Sequence, residues 1–559
     1  MTTLMTQPHL LTAAAGDAQQ INSAISQARA AAAGPTTGVL AAAEDEVSAV
    51  TAQLFGAYGQ EYQAMLQQAS LFHDQFVAAL SSAGNAYAGA EAAASNMLGA
   101  NGAGALHSAQ ETSIGLYMGG SGLPVPPPKY VEAVNNWVKY AFPGITVNAQ
   151  ALFTPEGLYP LTGVKTLPLN TSVSQGVEIL ESAITQQITA GNNVSVLGYS
   201  QSAIISSLVM QNLLHATSPT ASQLNFTLIG DPMAPNGGLL ERFAGLNLPS
   251  LGLDFYGATP PNTQFPTHIF TLEYDGYADF PKYPINFLSD LNAFAGIYFV
   301  HGTYPDINPS ALPPGDHLIT LPTSPGYTGV TTYDMITQPN LPLLDPLRAI
   351  PVIGNPLADL VQPDLTYLVN WGYGNPLYGY NTGYANVPTP FGVFPPLSAT
   401  TALPGLLASG AQQGAAAFVS DISAMAPPSL PSLAFSAGGG ASIGGFSLPA
   451  QLSTIPSPDS IIGALQTANT TAVNFVTNAL AQSYAVLLPT ADIANALLTS
   501  MPSYDVNLFL SGIEQAINGD PTGGLIYAFG APIAADTALV TLASGFELEV
   551  LVGAVTSII

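Results

Sequence analysis

Residues Asn193 to Leu214 read NVSVLGYSQSAIISSLVMQNLL, and the fold of the central domain turns on them. The β-branched run Val194-Ser195-Val196-Leu197 predicts a buried strand. After Gly198-Tyr199-Ser200-Gln201-Ser202, the residues Ala203, Ile204, Leu208 and Leu213 recur at roughly helical spacing. Strand, tight turn and helix are the setting of a nucleophile elbow. In that setting a serine Oγ stands above the sheet, and the following N–H groups at the helix N-terminus face any oxyanion. The pentapeptide here is Gly-x-Ser-x-Ser, with Ser202 where a second glycine is commoner. The same string also suits a plain strand-to-helix turn capped by Ser200.

Strands separated by helices continue on both sides. Ile114-Gly115-Leu116-Tyr117-Met118 predicts a strand running into the glycine turn Gly119-Gly120-Ser121-Gly122. Such a turn lets backbone N–H groups approach a ligand closely, which suits an oxyanion hole. Val177, Leu180, Ile184 and Ile188 mark the helix before the elbow strand. Asn225–Ile229 and His268–Tyr274 are further strands, the second followed directly by Asp275. This order implies a mostly parallel sheet with its site at the carboxyl ends of the strands. Between the two strands, residues 233–266 form an insertion rich in Leu, Phe, Gly and Pro. It is expected to shape the entrance for an acyl chain, or else to close the core.

In a hydrolase sheet of this kind the serine precedes the acid and the acid precedes the histidine. Only His301 and His317 follow the strand that ends before Asp275. Between Ser200 and His301 lie Asp231, Asp275, Asp279 and Asp290. The acid that orients the imidazole belongs on a loop after a late strand, which favours Asp275 and leaves Asp279 as the alternative. Asp231, before Pro232, reads as a turn cap.

The 559-residue chain is long enough for several domains. Only 7% of its residues are charged, and 34 acids against 7 bases give a net charge of −27. That balance argues against nucleic-acid binding, which needs a basic footprint, and against docking on anionic lipid. There are no cysteines, so disulfides, thiolate catalysis and cysteine-ligated metals are excluded. No metal or organic cofactor is expected. The opening residues, MTTLMTQPHLLTAAAGDAQQ, lack a cationic start and a long apolar core, so a Sec signal is not expected. The stretch from Thr537 to Ile559 is broken by Glu547 and Glu549, and a transmembrane helix is not expected there either.

Residues 1–96 are dominated by Ala, Gln and Ser, with Gly34-Pro35 dividing them into two helical halves. In the second half, Val47, Val50, Leu54, Tyr58, Tyr62, Met65, Ala69, Phe72, Phe76, Leu80 and Ala83 alternate steps of three and four. An antiparallel hairpin of two such helices cannot cover both apolar faces, so a helical partner is expected. This hairpin resembles the N-terminal domain of the mycobacterial PE proteins. The resemblance implies pairing with a PPE protein and export through the type VII secretion machinery and its chaperone, to the cell envelope or beyond. Tyr87-Ala88-Gly89-Ala90-Glu91 fits the Tyr-x-x-x-Asp/Glu secretion signal of that route, with Tyr87 and Glu91 as its defining residues. The Pro-Glu pair that names the family is Pro8-His9 here.

After a small-residue linker at 97–111, residues 112–400 resemble the PE-PPE domain, a module similar to the cutinases among the α/β-hydrolases. MGGSG (118–122), GYSQS (198–202), YDGYADFP (274–281), NFLSDLNAFAGIYFVHGTY (286–304) and LPLLDPLRAIPVIGNPLADLVQPDL (341–365) carry the resemblance. It implies a serine esterase or lipase acting on fatty acyl esters, by hydrolysis or acyl transfer. His301, in a His-x-x-Tyr pattern, is then preferred over His317, and Asp275 falls at the catalytic acid. The oxyanion would be held by the N–H of Gln201 with the Gly120/Ser121 loop.

The expected architecture is therefore a helical hairpin, a cutinase-like α/β domain, and a mainly helical, Ala/Gly-rich C-terminal region. Within that last region, 401–454 reads as a flexible Gly/Ala/Pro/Ser linker and 455–559 as a helical accessory or surface segment. The competing function is a non-catalytic envelope protein serving surface presentation.

Overall fold

The computed structural model describes residues 112–425 and 484–558, together with scattered positions between 30 and 63. The chain divides into two units, residues 1–109 and 110–559. In the first, the described positions are helical apart from Gly38. They remain helical through Gly34 and Pro35, so the break falls later than the Gly34-Pro35 pair suggested. Thr37 Oγ1 donates to the Ala33 carbonyl at 2.6 Å and the Gly38 N–H to the Gly34 carbonyl at 2.9 Å, which closes the turn. The rest of the expected hairpin, with Tyr87, Glu91 and the linker at 97–111, lies outside the described residues.

The second unit is built on a seven-stranded sheet. Its strands are β1 (Thr112–Tyr117), β2 (Thr146–Ala151), β3 (Asn193–Tyr199), β4 (Leu224–Ile229), β7 (Thr267–Leu272), β8 (His317–Thr320) and β9 (Thr331–Thr337). The order is β2-β1-β3-β4-β7-β9-β8, parallel throughout except for β8, which runs antiparallel to β9 at the edge. His317 thus opens an edge strand, where a surface loop was expected. A two-stranded ribbon, β5 (Asn247–Leu248) with β6 (Leu253–Asp254), stands apart from this sheet.

The two faces of the sheet follow from alternation along β3. Val194 and Val196 face one layer with α2 (Leu169–Thr189) and α3 (Gln201–Asn212). Leu197 and Tyr199 belong to the opposite layer, with Val134 and Trp137 of α1 (Pro128–Ala141). Side chains of a strand point alternately to its two faces, so a strand covered on both sides must be apolar nearly throughout. β4 is buried at all six positions and apolar at four; of its two polar residues, Asn225 accepts from the Ser195 hydroxyl at 2.7 Å.

After β4, the single turn α4 (Leu239–Arg242) opens the insertion that carries the β5-β6 ribbon. Beyond β7, α5 (Phe287–Phe299) leads to the histidine segment. The helices α7 (Gly354–Trp371) and α8 (Leu397–Ala424) then pack side by side; between α5 and α7 lies the short α6 (Asp345–Arg348). The expected linker from 401 is corrected here, because the chain stays helical to Ala424. Its small residues are a contact seam: a Cβ on Gly410 would collide with Asp364, and one on Gly414 with the backbone of Leu360. Composition alone cannot tell a seam of small residues from a flexible run. Residues 426–454 lie outside the described part.

Residues 484–558 are helical, as expected, but they are not a surface appendage. A π-turn at Ala496–Ser500 leads into α9 (Met501–Ile517), which turns back into α10 (Pro521–Ile558). Met501, Leu508, Ala531, Ala535, Leu539 and Leu542 share a core with Leu239, Phe243 and Phe280 of the central domain. The span Pro521–Gly553 is long and apolar enough to cross a membrane. Of its most apolar stretch, 44% is buried inside this unit.

Candidate active site

The elbow forms as its sequence requires. β3 ends at Tyr199, Ser200 turns sharply with φ +57° and ψ −117°, and α3 starts at Gln201. A positive φ at a residue with a side chain costs on the order of 1–3 kcal/mol and persists where the surroundings impose it. The Ser202 hydroxyl does part of this by bonding the Tyr199 N–H at 2.8 Å. That contact gives Ser202 a role that a glycine at its position could not fill.

Ser200, His301 and Asp275 come together from three separate segments. His301 Nε2 lies 2.7 Å from Ser200 Oγ, and its Nδ1 lies 2.8 and 2.9 Å from the two Asp275 oxygens. Asp275 is fully buried, and Ser200 and His301 are exposed by only 9% and 7%. The carboxylate also accepts from the Tyr304 hydroxyl at 2.9 Å and from the Tyr277 N–H at 3.0 Å. Three donors on one carboxylate compensate the cost of burying it. His301 opens a short 3-10 turn after α5, and its carbonyl accepts from the Tyr199 hydroxyl at 2.6 Å. The Tyr199 ring stacks on the imidazole at 5.4 Å, while Tyr277 meets it edge-on at 4.7 Å. Gly230 leaves the space for this ring, since a Cβ there would press on both His301 and Tyr304.

Asp279 stands apart from this relay. Its Oδ2 accepts from the Tyr274 N–H at 3.0 Å, and burial holds its carboxyl well above the usual range. Asp231 accepts from the Met233 N–H and the Thr259 hydroxyl, so it braces the turn before Pro232. Of the other candidate histidine, His317, the structure makes an exposed residue on β8.

The turn at Gly119–Gly122 lies beside Ser200. Gly120 lies so close that a Cβ on it would meet the Tyr199 ring and Ser200 Cβ. Ser121 Oγ donates to Gln201 Oε1 at 2.8 Å, and Gln201 Nε2 donates to Ser172 Oγ at 2.6 Å. This chain ties the loop to α3 and α2. Gln201 opens α3, and its N–H is one of the groups a helix leaves without an internal acceptor. Glu156, whose carbonyl accepts from the Gly122 N–H, is buried behind the loop. Burial pushes its carboxyl up to about 8. Neither Ser172 nor Glu156 stood out in the sequence, where nothing brings them near Ser200.

The relay opens into an apolar cavity of about 370 Å³. Leu239, Leu240, Leu248, Leu251, Leu253 and Phe255 of the 233–266 insertion line one side. Leu246 and Phe243 turn instead into the core with Phe280. Among the described residues no cluster of His, Cys, Asp and Glu could hold a metal ion.

Two family descriptions match the chain: "PE-PPE domain" over residues 145–374 and "PE family" over residues 4–94. Three proteins of Mycobacterium tuberculosis are similar to it over most of its length. The uncharacterized PPE family protein PPE28 is 49% identical, with 81% of this chain and 67% of that protein covered. Esterase PE16 is 46% identical over 69% of this chain and 71% of its own length. The PE family protein PE3 is 43% identical over 77% of this chain and 91% of its own length.

Proposed function

Because the chain belongs to the PE family of mycobacterial proteins and carries a PE-PPE domain, we propose that it is a secreted serine esterase or lipase acting on fatty acyl esters. The relay from Asp275 through His301 to Ser200, at the mouth of an apolar cavity, is the observation that carries this reading. The similarity to esterase PE16 supports an esterase-like hydrolase.

In the first half-reaction His301 Nε2 takes the Ser200 proton as Oγ attacks the ester carbonyl carbon. The carbonyl electron pair moves to oxygen, and the oxyanion is met by the N–H of Gln201 and the Gly120/Ser121 loop. Collapse of this intermediate breaks the bond to the alcohol oxygen, which leaves with the proton from His301. Water, deprotonated in turn by His301, then attacks the acyl-serine and releases the acid; an alcohol in place of water would make the step an acyl transfer. Asp275 holds the imidazole with Nδ1 protonated and Nε2 free to accept.

A fluorophosphonate probe tests the reading directly, because it labels an activated serine and not a merely exposed one. The full-length protein is expected to be labelled and its Ser200→Ala variant to remain unlabelled. An unlabelled wild type would return the chain to a non-catalytic envelope role.

The proposal extends to the N-terminal unit, with residues 1–96 as the element that pairs with a PPE partner and directs type VII export. A Tyr87→Ala, Glu91→Ala double variant is expected to stay inside a mycobacterial host, as read by comparing culture filtrate with cell lysate. Secretion at the wild-type level would remove that role from the motif.

A further inference from the structure

We propose that the C-terminal helices form the outer half of the acyl-binding site, so that residues beyond the hydrolase sheet set the preferred acyl chain length. The proposal rests on the serine-esterase reading of Ser200. Its ligand class is an unbranched, medium to long acyl chain, whose ester end reaches Ser200.

The cavity has two walls of different origin. One comes from the 233–266 insertion. The other consists of Ile493, Leu497, Met501, Leu539, Leu542 and Phe546, from the segment before α9, from α9 and from α10, and it packs against the insertion through Leu239, Leu248 and Leu251. The PE-PPE match ends at residue 374, so this second wall lies wholly outside it. None of these six side chains has a charge or a hydrogen-bonding group. The polar side chains of the lining are Ser121, Ser200, Gln201, Tyr277 and His301 about the relay, together with Tyr159, Thr162 and Tyr199, whose hydroxyls are engaged with Asp492, Thr166 and the His301 carbonyl. A mostly apolar cavity whose unengaged polar groups belong to the relay matches an acyl ester.

This wall is held firmly in place. Tyr159 Oη donates to Asp492 Oδ2 at 2.6 Å, and Ser250 Oγ donates to the Asp492 carbonyl at 2.8 Å. Both donors belong to the central domain, and Asp492 adjoins Ile493. At the other end Gly545 seats against Phe294 of α5, whose ring meets Phe546 at 5.6 Å. Between them, α9 and α10 cross closely where Gly512 meets Ala528. Held at both ends, the wall presents a fixed surface to the substrate.

The test compares kcat/KM of full-length protein for 4-nitrophenyl octanoate and 4-nitrophenyl acetate. Each methylene buried is worth about fourfold, so the octanoyl chain has several such factors to lose. Leu542→Trp, which fills the cavity, is expected to lower the octanoate-to-acetate ratio at least ~10-fold. Leu497→Trp, at a half-buried position that tolerates a larger ring, is expected to act in the same direction and decides the matter if Leu542→Trp does not fold. Leu510→Trp, on the exposed face of α9, is expected to leave the ratio unchanged. Circular dichroism establishes the fold of each variant. Ser200-dependent hydrolysis with a wild-type ratio in both cavity variants would overturn the acyl-wall assignment and leave the esterase reading standing. An equal loss on both esters in a folded variant would overturn it as well. Absence of Ser200-dependent hydrolysis in the wild type would overturn the esterase reading, and this assignment with it.

Discussion

Ser200→Ala is expected to lower kcat for a short soluble ester by roughly 10⁵–10⁶-fold, and His301→Ala by a similar factor. The two losses should not multiply in the double variant, because serine and imidazole act as one unit. Without the 2.7 Å contact to His301, the serine has no base within reach; without Ser200 Oγ, the imidazole has nothing to activate. Folding should survive both changes. The alanine at 200 removes only an oxygen, and His301 lies at the cavity lining, where water can replace part of its ring. Residual hydrolysis would reflect the oxyanion loop and the cavity alone. Steady-state kinetics with a melting curve on each variant make the measurement. A folded Ser200→Ala protein within tenfold of wild type would end the covalent mechanism.

The second large effect separates two aspartates four positions apart. Asp275→Asn is expected to cost about 10⁴-fold in kcat. An amide in place of the carboxylate would present an N–H₂ to His301 Nδ1 and favour the tautomer with the proton on Nε2, which cannot accept from serine. It would also disturb the hydrogen bonds from the Tyr304 hydroxyl and the Tyr277 N–H. Asp279→Asn is expected to stay within tenfold of wild type. Its carbonyl oxygen can still accept from the Tyr274 N–H, and it makes no hydrogen bond to His301. The reverse pattern, an inactive Asp279→Asn variant beside an active Asp275→Asn variant, would reassign the acid.

Much of this site was legible because its parts are local. The strand-turn-helix at Asn193–Leu214 carries its own signals, in the β-branched run before Ser200 and the helical spacing after it. The glycine turn at 119–122 is legible for the same reason. Which aspartate faces the imidazole was harder, because Asp275 and Asp279 share one loop and either suits a late strand. The loop geometry separates them: the Asp279 N–H donates back to the Asp275 carbonyl, and the two carboxyls are directed to different partners. Ser172 and Glu156 could not be read at all, since only the packing of α2 and of the segment after β2 brings them behind the oxyanion loop.

The C-terminal wall was illegible for a different physical reason. Helical spacing predicts a helix, and a polar stripe tells which face stays in water. α10 has apolar residues all round, with Leu525, Phe529 and Ile533 exposed while Ala531, Ala535 and Leu539 are buried. Such a helix gives no direction from its sequence. In α8 the opposite problem arose, because glycines at a helix contact look like glycines in a linker.

The origin of the two cavity walls also has a consequence for the order of events during synthesis. Leu542 leaves the ribosome roughly 240 residues after His301, a delay of about 12–48 s at ordinary translation rates. Through that interval the sheet and its relay can assemble, while Leu239, Leu240 and Leu251 face an open cleft. The nascent chain therefore carries an uncovered apolar trough before its own covering helices exist. A transient occupant of that trough, whether a chaperone or a lipid, would have to depart before α10 could dock.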